Sequence, residues 1–434
     1  MKNSVSTSTF NDEFMEAVII SQTAMFGRVL HSTRRIAQGE VVFIEKPILF
    51  SIPELNMEEE EFLMQKSADT GLNLVEDFLF LKAFCACSVD SQARVLDCFS
   101  PPMLDVGRSQ LLSSILKVVD ICKMFDWSQK FDDDTLQNVV LIKACNAHGC
   151  FSQGKGVAAL YSFGSKMRHS CVPNVVYTSQ RKPGYGCFLA KRDILDGEEL
   201  FISYIPVQNS TLMRKAKLRE NYLFECDCSL CVHGDDKFRG LACPCGGTLY
   251  LNRDSSSWSC DDCSATYQDG TQPVSESLEA ALVSEGLELL DSIKIEIRSQ
   301  VIQLLERLLS ILGPNHAITK LIQKAYIEHH LLSSYMVLER HAEHIISMTD
   351  SIVKWCDGDP DFLDSALVEI ACGLGRIGEF KKAIGYLALV KQDMDFLFGD
   401  KCRNETRELV IRAMKACEQS DADSVPDLIG GTNL

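Results

Sequence analysis

The most informative part of this chain is a polar loop with apolar flanks, which reads Arg168-His169-Ser170-Cys171-Val172-Pro173-Asn174. Further along, a turn leads into an apolar strand with the sequence Gly197-Glu198-Glu199-Leu200-Phe201-Ile202-Ser203-Tyr204. A CxCxxC cluster follows, with the sequence Glu225-Cys226-Asp227-Cys228-Ser229-Leu230-Cys231. A closed tetrahedral zinc site needs four thiolates, and this cluster supplies three. Cys171 is the natural fourth ligand, and a shared ion would fasten the polar loop to the cysteine cluster.

These three motifs, in this order, resemble those of the SET-domain protein lysine methyltransferases, and within that group the SET/MYND (SMYD)-like family. The family pattern is an Asn-His-Ser-Cys-x-Pro-Asn loop, then a Gly-Glu-Glu strand ending in Ser-Tyr, then Tyr-x-Phe-x-Cys-x-Cys-x-x-Cys. The third motif here begins at Tyr222-Leu223-Phe224 and runs into the cysteine cluster. Each motif alone is a weak signal, but the ordered set is a strong one.

Two upstream stretches agree with this resemblance, which runs from about residue 17 to the C-terminus. One is Gly27-Arg28-Val29-Leu30, which is similar to the opening strand of a SET domain with its Gly-rich turn. The other is Cys145-Asn146-Ala147-His148, which is similar to the Asn-containing segment that precedes the main loop in the family.

The resemblance implies methyl transfer from S-adenosyl-L-methionine to the amine of a lysine in a histone or another protein. Tyr204 and Tyr222 would be the catalytic tyrosines, whose hydroxyls orient the amine while their rings exclude water. Zinc at Cys171 and the CxCxxC cysteines would be structural, because four thiolates leave no open position for a substrate. The residues that the resemblance assigns to the cofactor are Gly27, Arg28, Val29, Asn146, Ser165, Arg168, His169, Tyr204 and Phe224.

Two residues depart from the family pattern. Arg168 stands where the family usually has Asn, and its longer, permanently charged side chain could reach the cofactor or crowd the site. Val29 stands where the family usually has Gly, which removes the freedom to adopt a positive φ. We also expect the zinc-binding MYND module to be missing, because residues 50–145 contain five cysteines, no CxxC pair and no histidine.

The hydrophobic pattern changes along the chain and predicts an α+β fold. A SET-type β core is split by a helical insertion and followed by cysteine-rich segments and an α-helical C-terminal domain. The predicted divisions are a disordered tail (1–16), the N-terminal part of the SET core (17–56), the helical insertion (57–146), the C-terminal part of the core (147–210), a post-SET zinc segment (211–235), a zinc-ribbon-like segment (236–272), a helical TPR-like domain (273–420) and a second disordered tail (421–434).

The zinc-ribbon prediction depends on two cysteine knuckles separated by a strand-like segment. The first knuckle holds Cys243 and Cys245, and the second holds Cys260 and Cys263. The first has CxC rather than CxxC spacing, so a set of free thiols in a loop remains the alternative. The TPR-like prediction depends on the stretch from Gly378 to Ala383, which is similar to the inter-helix turn of a tetratricopeptide hairpin, although no clean 34-residue repeat can be traced.

Composition limits the functions that remain open. A net charge of −17 over 434 residues argues against a nucleic-acid-binding protein and suits a cationic, lysine-bearing substrate, although it is also consistent with solubility alone. The chain has 19 cysteines, several in CxC or CxxC spacing, which favours metal binding in a reducing compartment. No apolar run reaches membrane-spanning length, and the N-terminal stretch is polar and lacks the apolar core of a signal peptide. We therefore expect the chain to reside in the cytoplasm or nucleus. We also expect it to be a monomer.

Two competing functions stay open. The chain could be a non-catalytic interaction protein that keeps the fold and the zinc and binds partners through its helical domain. It could also methylate a small amine, which would need an enclosed pocket rather than a groove. Read singly, Tyr204 and Tyr222 would be ordinary packed tyrosines and His169 an ordinary core histidine, so the catalytic interpretation depends on the ordered set of motifs.

Overall fold

The structure is a computed structural model. It describes residues 17–25, 27–51, 54–70, 74–98, 110–152, 155–182, 184–233, 235–292, 298–329, 331–356, 364–399 and 405–429. The described residues form two compact units. The first contains the chain up to Ile205 together with Lys215–Cys226, and the second contains Pro206–Arg214 and the chain from Asp227 onward. The tail predicted over residues 1–16 lies outside the described residues.

Strands of the first unit lie on both sides of a helical insertion, as the change of periodicity predicts. They are short because Gly, Pro and polar turns interrupt the β-branched and aromatic runs. The strands are β1 (Val18–Thr23), β2 (Gly27–Ser32), β3 (Val41–Glu45), β4 (Leu49–Phe50), β5 (His148–Ser152), β6 (Lys155–Leu160), β7 (Arg168–His169), β8 (Val175–Thr178), β9 (Gly186–Ala190) and β10 (Phe201–Ile202).

The strands pair as several small sheets. β1 pairs with β2, β9 lies between β3 and β8, β6 lies between β4 and β5, and β7 pairs with β10. Only the β7–β10 pair is parallel among those described. In the β3–β9 pair Phe43 lies opposite Phe188, and their rings stack with centroids 4.3 Å apart. This stack lies in the buried core of the strand region.

Helices fill the insertion between β4 and β5. Their apolar faces form a second core in which Phe78, Phe80 and Phe84 are fully buried. Two of the helices begin at side chains that accept a backbone N–H, namely Ser88 and Asp132. The helices are Met57–Thr70, Val75–Ala86, Val89–Leu96, Gln110–Cys122 and Asp133–Asn146.

The second unit contains a small antiparallel sheet in which β11 (Leu241–Ala242), β12 (Thr248–Asn252), β13 (Ser257–Cys260) and β14 (Thr266–Gln268) follow one another in order. Trp258 is fully buried on β13 opposite Leu251. Its ring and the sheet's leucines share a core with the first helices of the unit.

The rest of the second unit is helical, as the amphipathic pattern predicts. A helix pair turns at Gly378, whose φ of +89° ends one helix and allows the next to start. No helix within the described residues combines the length and the apolar character that a membrane span requires. The helices of this unit are Ser229–Val232, Glu276–Ser292, Arg298–Ile311, Ala317–His329, Tyr335–Trp355, Asp364–Arg376, Phe380–Phe398 and Glu405–Glu418. A further helix, Thr211–Tyr222, has its residues from Lys215 onward in the first unit.

The end of the chain differs from the prediction of a disordered tail over residues 421–434. A short 3-10 helix spans Ala422–Ser424, and the next residue, Val425, is buried. The Arg376 Nε atom donates a hydrogen bond to the Val425 carbonyl at 2.8 Å. The Tyr335 hydroxyl also donates to Asp427 at 2.6 Å, and Leu428 and Ile429 pack against the helical core. Residues 430–434 lie outside the described part of the chain.

Arg239, Glu279 and His316 form a buried polar cluster in the second unit. Arg239 donates two hydrogen bonds to the Glu279 carboxylate, from Nε at 2.8 Å and from Nη2 at 2.7 Å. The His316 Nε2 atom lies 3.2 Å from the same carboxylate. Burial by itself would raise the pKa of Glu279, but the hydrogen bonds from Arg239 and His316 outweigh it and lower that pKa to about 2.

We predict that Glu279→Gln lowers the free energy of unfolding at pH 7 by about 3–5 kcal/mol, because it removes the buried carboxylate that pairs with Arg239 and leaves this buried charge with the exposed Glu276 at 3.5 Å. The folded-state pKa of Glu279 is depressed from 4.5 to about 2, so the carboxylate's contribution is present above pH 4.5 and lost as the pH falls through 2. Urea unfolding at pH 7 and pH 3 measures the effect, which should shrink at pH 3. An equal effect at both pH values, or an effect as large for the exposed Glu418→Gln, would contradict this role.

Candidate active site

The candidate site is built on the parallel contact between β7 and β10. Arg168 lies opposite Phe201, and His169 lies opposite Ile202. The Ser170 N–H then donates to the Ile202 carbonyl at 3.0 Å. This contact places the polar loop beside the end of the Gly-Glu-Glu strand.

The buried side chain of Asn174 cross-links the same two motifs. Its Nδ2 atom donates to the Glu199 carbonyl at 2.8 Å and to Glu198 Oε1 at 3.0 Å. Its Oδ1 atom accepts the Phe201 N–H at 2.7 Å. An asparagine amide can do this because it offers both donors and an acceptor. The loop and the strand are therefore fixed to each other by side-chain bonds as well as by strand pairing.

The imidazole of His169 links the strand end to a cysteine. Its Nδ1 atom accepts the backbone N–H of Tyr204 at 3.0 Å, and its Nε2 atom lies 3.3 Å from the Cys171 sulfur. Because Nδ1 accepts a hydrogen bond, a neutral ring carries its proton on Nε2, which then donates to the sulfur. The structure therefore gives the His169 side chain a positioning role, in addition to the cofactor role that the resemblance implies.

The hydroxyl proton of Tyr204 is engaged in a hydrogen bond within the protein. Its hydroxyl donates to the Met167 carbonyl at 2.6 Å, which leaves the oxygen lone pairs as acceptors. Burial is the main cause that raises the pKa of Tyr204, and the nearby Tyr222 adds to it, whereas the charge of Arg168 opposes it. Tyr204 is therefore a neutral phenol at pH 7.

The second tyrosine lies against the first. The Tyr204 and Tyr222 ring centroids are 5.1 Å apart, and the Tyr222 hydroxyl donates to the Tyr204 carbonyl at 3.2 Å. Burial raises the pKa of Tyr222 as well. Phe224 lies edge-on to Tyr204 and 6.0 Å from the His169 ring. Leu223 lies between Tyr222 and Phe224 in the sequence. Its φ of +61° is a strained value for leucine, and its side chain packs against the core of the helical insertion.

Both tyrosines line a cavity of about 230 Å³ that lies entirely within the first unit. Of the other predicted residues, Asn146 and Ser165 also line it. So does His148, which stands in the quoted Cys-Asn-Ala-His segment but received no role from the sequence. The signal for His148 was its position two residues after Asn146, at the start of a strand.

The Gly-rich turn lies at the start of β2, and its residues do not line this cavity. Gly27 has a φ of +67°, which suits a glycine. Arg28 pairs with Asp97 at 2.6 Å, so it connects β2 to the end of a helix in the insertion. Val29 is fully buried. An apolar side chain is therefore accommodated at the position where the family usually has Gly.

Arg168 is paired at the surface of the strand contact. Its Nη1 atom lies 3.1 Å from Glu199 Oε1, and its guanidinium lies over the Phe201 ring, 5.6 Å from the centroid. An ion pair and a cation–π contact therefore stabilise the Arg168 side chain at the position where the family usually has Asn. The sequence contained Glu199 but no signal that it would pair with Arg168.

The predicted zinc cysteines come together. The thiols of Cys171, Cys226, Cys228 and Cys231 lie within 4.8 Å of one another, and the sulfurs of Cys171 and Cys226 are 4.0 Å apart. Thiolates about 2.3 Å from a tetrahedral zinc ion lie about 3.8 Å from each other, and a disulfide would bring two sulfurs to about 2.05 Å. The four thiols therefore fit a zinc ion.

The second cysteine set also fits a zinc ion. The thiols of Cys243, Cys245, Cys260 and Cys263 lie within 4.8 Å of one another. The Cys243–Cys263 sulfur distance is 3.8 Å, and the Cys245–Cys260 distance is 3.6 Å. A hydrogen bond from the Gly247 N–H is the main cause that lowers the pKa of Cys245 to about 7, which favours the thiolate that a metal binds. The alternative of free thiols scattered in a loop does not describe this arrangement.

We predict that the purified chain contains two zinc ions, measured by elemental analysis after exhaustive dialysis. Cys226→Ser should remove one ion and Cys245→Ser the other, because three thiolates hold zinc far less tightly than four. Cys372→Ser changes a buried helical cysteine outside both sets and should leave two. Fewer than two ions in the unmodified chain, or two in either cluster variant, would show that a set is not a zinc site.

Comparison with known proteins agrees with this geometry. The SET domain family model matches residues 27–205. A SET domain-containing protein of Acanthamoeba polyphaga mimivirus is 39% identical over 94 residues, which cover 22% of this chain and 34% of that protein. The human N-lysine methyltransferase SMYD2 is 34% identical over 108 residues, which cover 24% of each protein.

Among solved structures, the SET domain of LSMT bound to lysine and AdoHcy aligns with a TM-score of 0.33 at 13% identity, over 94% of this chain and 88% of that one. The matched parts span about a third or less of the length of the two curated relatives. The loop, the strand and the first tyrosine all fall inside the matched residues. Residues 27–205 of this chain are therefore a SET domain.

Proposed function

We propose that this chain is an S-adenosylmethionine-dependent protein-lysine N-methyltransferase. The observation that carries the proposal is the pair of neutral tyrosines, Tyr204 and Tyr222, on one cavity of a SET domain. The names of relatives such as SMYD2, an N-lysine methyltransferase, support the same reaction class. The net charge of −17 favours a basic, lysine-bearing protein segment as the substrate.

The reaction needs orientation more than acid–base chemistry. When bound, S-adenosylmethionine supplies a methyl group on a positively charged sulfur. The lysine amine must approach in line and uncharged, because its lone pair forms the new bond. Its proton is lost to water, so no carboxylate base is required.

Tyr204 would orient that amine. Its proton is donated to the Met167 carbonyl, so its oxygen can only accept an N–H from the amine. Because burial keeps both phenols neutral, neither offers a negative charge that would favour the protonated lysine. The aromatic faces also stabilise the positive charge that develops on the amine as the methyl group is transferred.

The cofactor would lie beside the polar loop. Asn146 and Ser165 supply polar groups at the cavity. The remaining contacts that we propose, from the turn, the polar loop and Phe224, lie outside the cavity lining and are assigned by the family resemblance. Arg168 can serve only in an arrangement compatible with its ion pair to Glu199. The cofactor-binding residues that we propose are Gly27, Arg28, Val29, Asn146, Ser165, Arg168, His169, Tyr204 and Phe224.

We further propose that the helical part of the second unit forms TPR-like hairpins that bind protein partners, supported by the turn at Gly378. The fit of the second thiol set to zinc supports a zinc-ribbon-like segment. Reduced, metal-binding thiols also support residence in a reducing compartment, the cytoplasm or the nucleus.

The direct test is methyl transfer from radiolabelled S-adenosylmethionine to core histones and to a fractionated lysate, with cofactor affinity measured by calorimetry. We expect Tyr204→Phe to lower the transfer rate by about a hundredfold or more, because the amine loses its orienting oxygen. The cofactor dissociation constant should change less than about threefold, since a phenyl ring keeps the packing.

Tyr267→Phe is the matched control, because Tyr267 lies on β14 of the second unit and should leave the transfer rate unchanged. A wild-type chain that binds no cofactor and transfers no methyl group would refute the proposed function. The same negative result with both zinc ions bound would favour a non-catalytic SET-fold interaction protein.

A further inference from the structure

The last residue of β3, Glu45, places a carboxyl group behind one wall of the cavity. Its side chain is buried, with 8% of its surface exposed. It faces a turn that begins at Ser162 and continues into a short 3-10 helix, Gly164–Lys166. Gly164 and Ser165 from this turn line the cavity that holds both tyrosines, whereas Glu45 contacts the turn from outside the cavity lining.

Three consecutive backbone N–H groups of the turn donate to the Glu45 carboxyl group. The Ser162 N–H donates to Oε1 at 2.7 Å, and the Gly164 N–H donates to Oε2 at 3.1 Å. The Phe163 N–H lies between them, 3.0 Å from each oxygen. A single side chain therefore satisfies three backbone donors of a largely buried turn.

Lys166 anchors the same turn from its other end. Its Nζ atom donates to the Ser162 carbonyl, and its side chain is buried as well. Burial is the main cause that raises the pKa of Glu45, whereas the three N–H bonds and the Lys166 charge act in the opposite direction. In either protonation state both oxygens of the carboxyl group keep a lone pair for an N–H donor.

The turn also leads to Tyr204. The Met167 N–H donates to the Gly164 carbonyl at 3.2 Å, and the Met167 carbonyl accepts the Tyr204 hydroxyl at 2.6 Å. Gly164 itself is closely packed, because a β-carbon there would lie 2.8 Å from the Phe188 ring and 2.9 Å from the Tyr161 β-carbon. The position of this turn therefore fixes one wall of the cavity and the acceptor of the Tyr204 hydrogen bond.

We propose, on the basis of the methyltransferase function above, that Glu45 is a positioning residue that holds Gly164 and Ser165 in the arrangement that binds S-adenosylmethionine. Because Glu45 lies outside the cavity lining, it acts through the backbone of the turn rather than by touching the cofactor. Glutamate suits this role because each of its two oxygens accepts N–H bonds, whereas glutamine offers one acceptor and one donor.

Glu45→Gln tests this role, because the new Nε2 atom would face backbone N–H groups that also donate. We expect the dissociation constant for S-adenosylhomocysteine, measured by calorimetry on the zinc-loaded full chain at pH 7, to rise at least about tenfold. Amide hydrogen exchange across residues 161–167 should become faster, since the turn loses part of its anchor. Glu45→Asp keeps both acceptor oxygens on a shorter side chain, and we expect it to bind about threefold more weakly than the wild-type chain.

Glu59→Gln is the matched control for the loss of a buried carboxylate. Glu59 lies in the helical insertion of the same unit, is 5% exposed and accepts two hydrogen bonds from Lys82, at 2.7 and 2.8 Å. It does not line the cavity that holds the two tyrosines. We expect this substitution to lower the melting temperature, as Glu45→Gln does, but to leave the dissociation constant within about twofold of the wild-type value.

Four results would overturn the positioning role. They are unchanged affinity in Glu45→Gln, unchanged exchange across the turn in that variant, affinity in Glu45→Asp as low as in Glu45→Gln, and an equal loss of affinity in Glu59→Gln. If Glu45→Gln does not fold, Glu45→Asp takes its place, and unchanged affinity there has the same meaning.

Cofactor affinity and methyl transfer separate this role from the proposed function. A chain whose cofactor affinity depends on Glu45 but which transfers no methyl group would retain the positioning role and refute catalysis. A chain that transfers methyl groups with unchanged cofactor affinity in Glu45→Gln would retain catalysis and refute the role of Glu45. A wild-type chain that binds no cofactor would refute both.

Discussion

The hydrogen bond from the Tyr204 N–H to Nδ1 of His169 is the interaction on which the candidate site depends most. β10 ends at Ile202, so the strand ladder no longer places Tyr204, and the imidazole takes over. The same bond places the ring proton on Nε2, which faces the Cys171 sulfur. One imidazole therefore connects the tyrosine at the cavity to the cysteine that the CxCxxC segment needs as its fourth ligand.

A zinc ion at these thiols would act on the cavity through short covalent connections. Cys226 follows Phe224 by two residues and Tyr222 by four, so fixing its sulfur restrains the turn that carries both rings. Leu223 has a φ of +61°, which is strained for leucine, and the packing of its side chain against the insertion core offsets part of that strain. Hydrogen bonds, apolar burial and metal ligation thus converge on the same few residues.

The sequence motifs predicted those residues that must act together in one chemical site. The CxCxxC cluster is one ligand short of a closed zinc site, which indicated Cys171 as the fourth, and CxC and CxxC spacing indicated the second cysteine set. Alternating and helical periodicity likewise predicted the split β core and the helical regions. Side chains whose partners are distant along the chain could not be predicted, because no local pattern marks them. Examples are the pairing of Arg28 with Asp97 and of Arg168 with Glu199, the docking of Val425, and the place of His148 at the cavity.

The proposed roles also differ in the physical basis that supports them. Tyr204 is assigned by its hydrogen bonds, because its donor is occupied and only its acceptor is available. The Gly27–Val29 turn is assigned by resemblance, and its residues have structural partners of their own. A direct view of the cofactor separates these two kinds of assignment.

That view is a crystal structure of the zinc-loaded chain with S-adenosylhomocysteine and a lysine peptide. We predict that the sulfur of S-adenosylhomocysteine faces the cavity between Tyr204 and Tyr222, with the lysine amine entering from the opposite side. A cofactor bound elsewhere, or a sulfur that points away from both tyrosines, would contradict methyl transfer at this site.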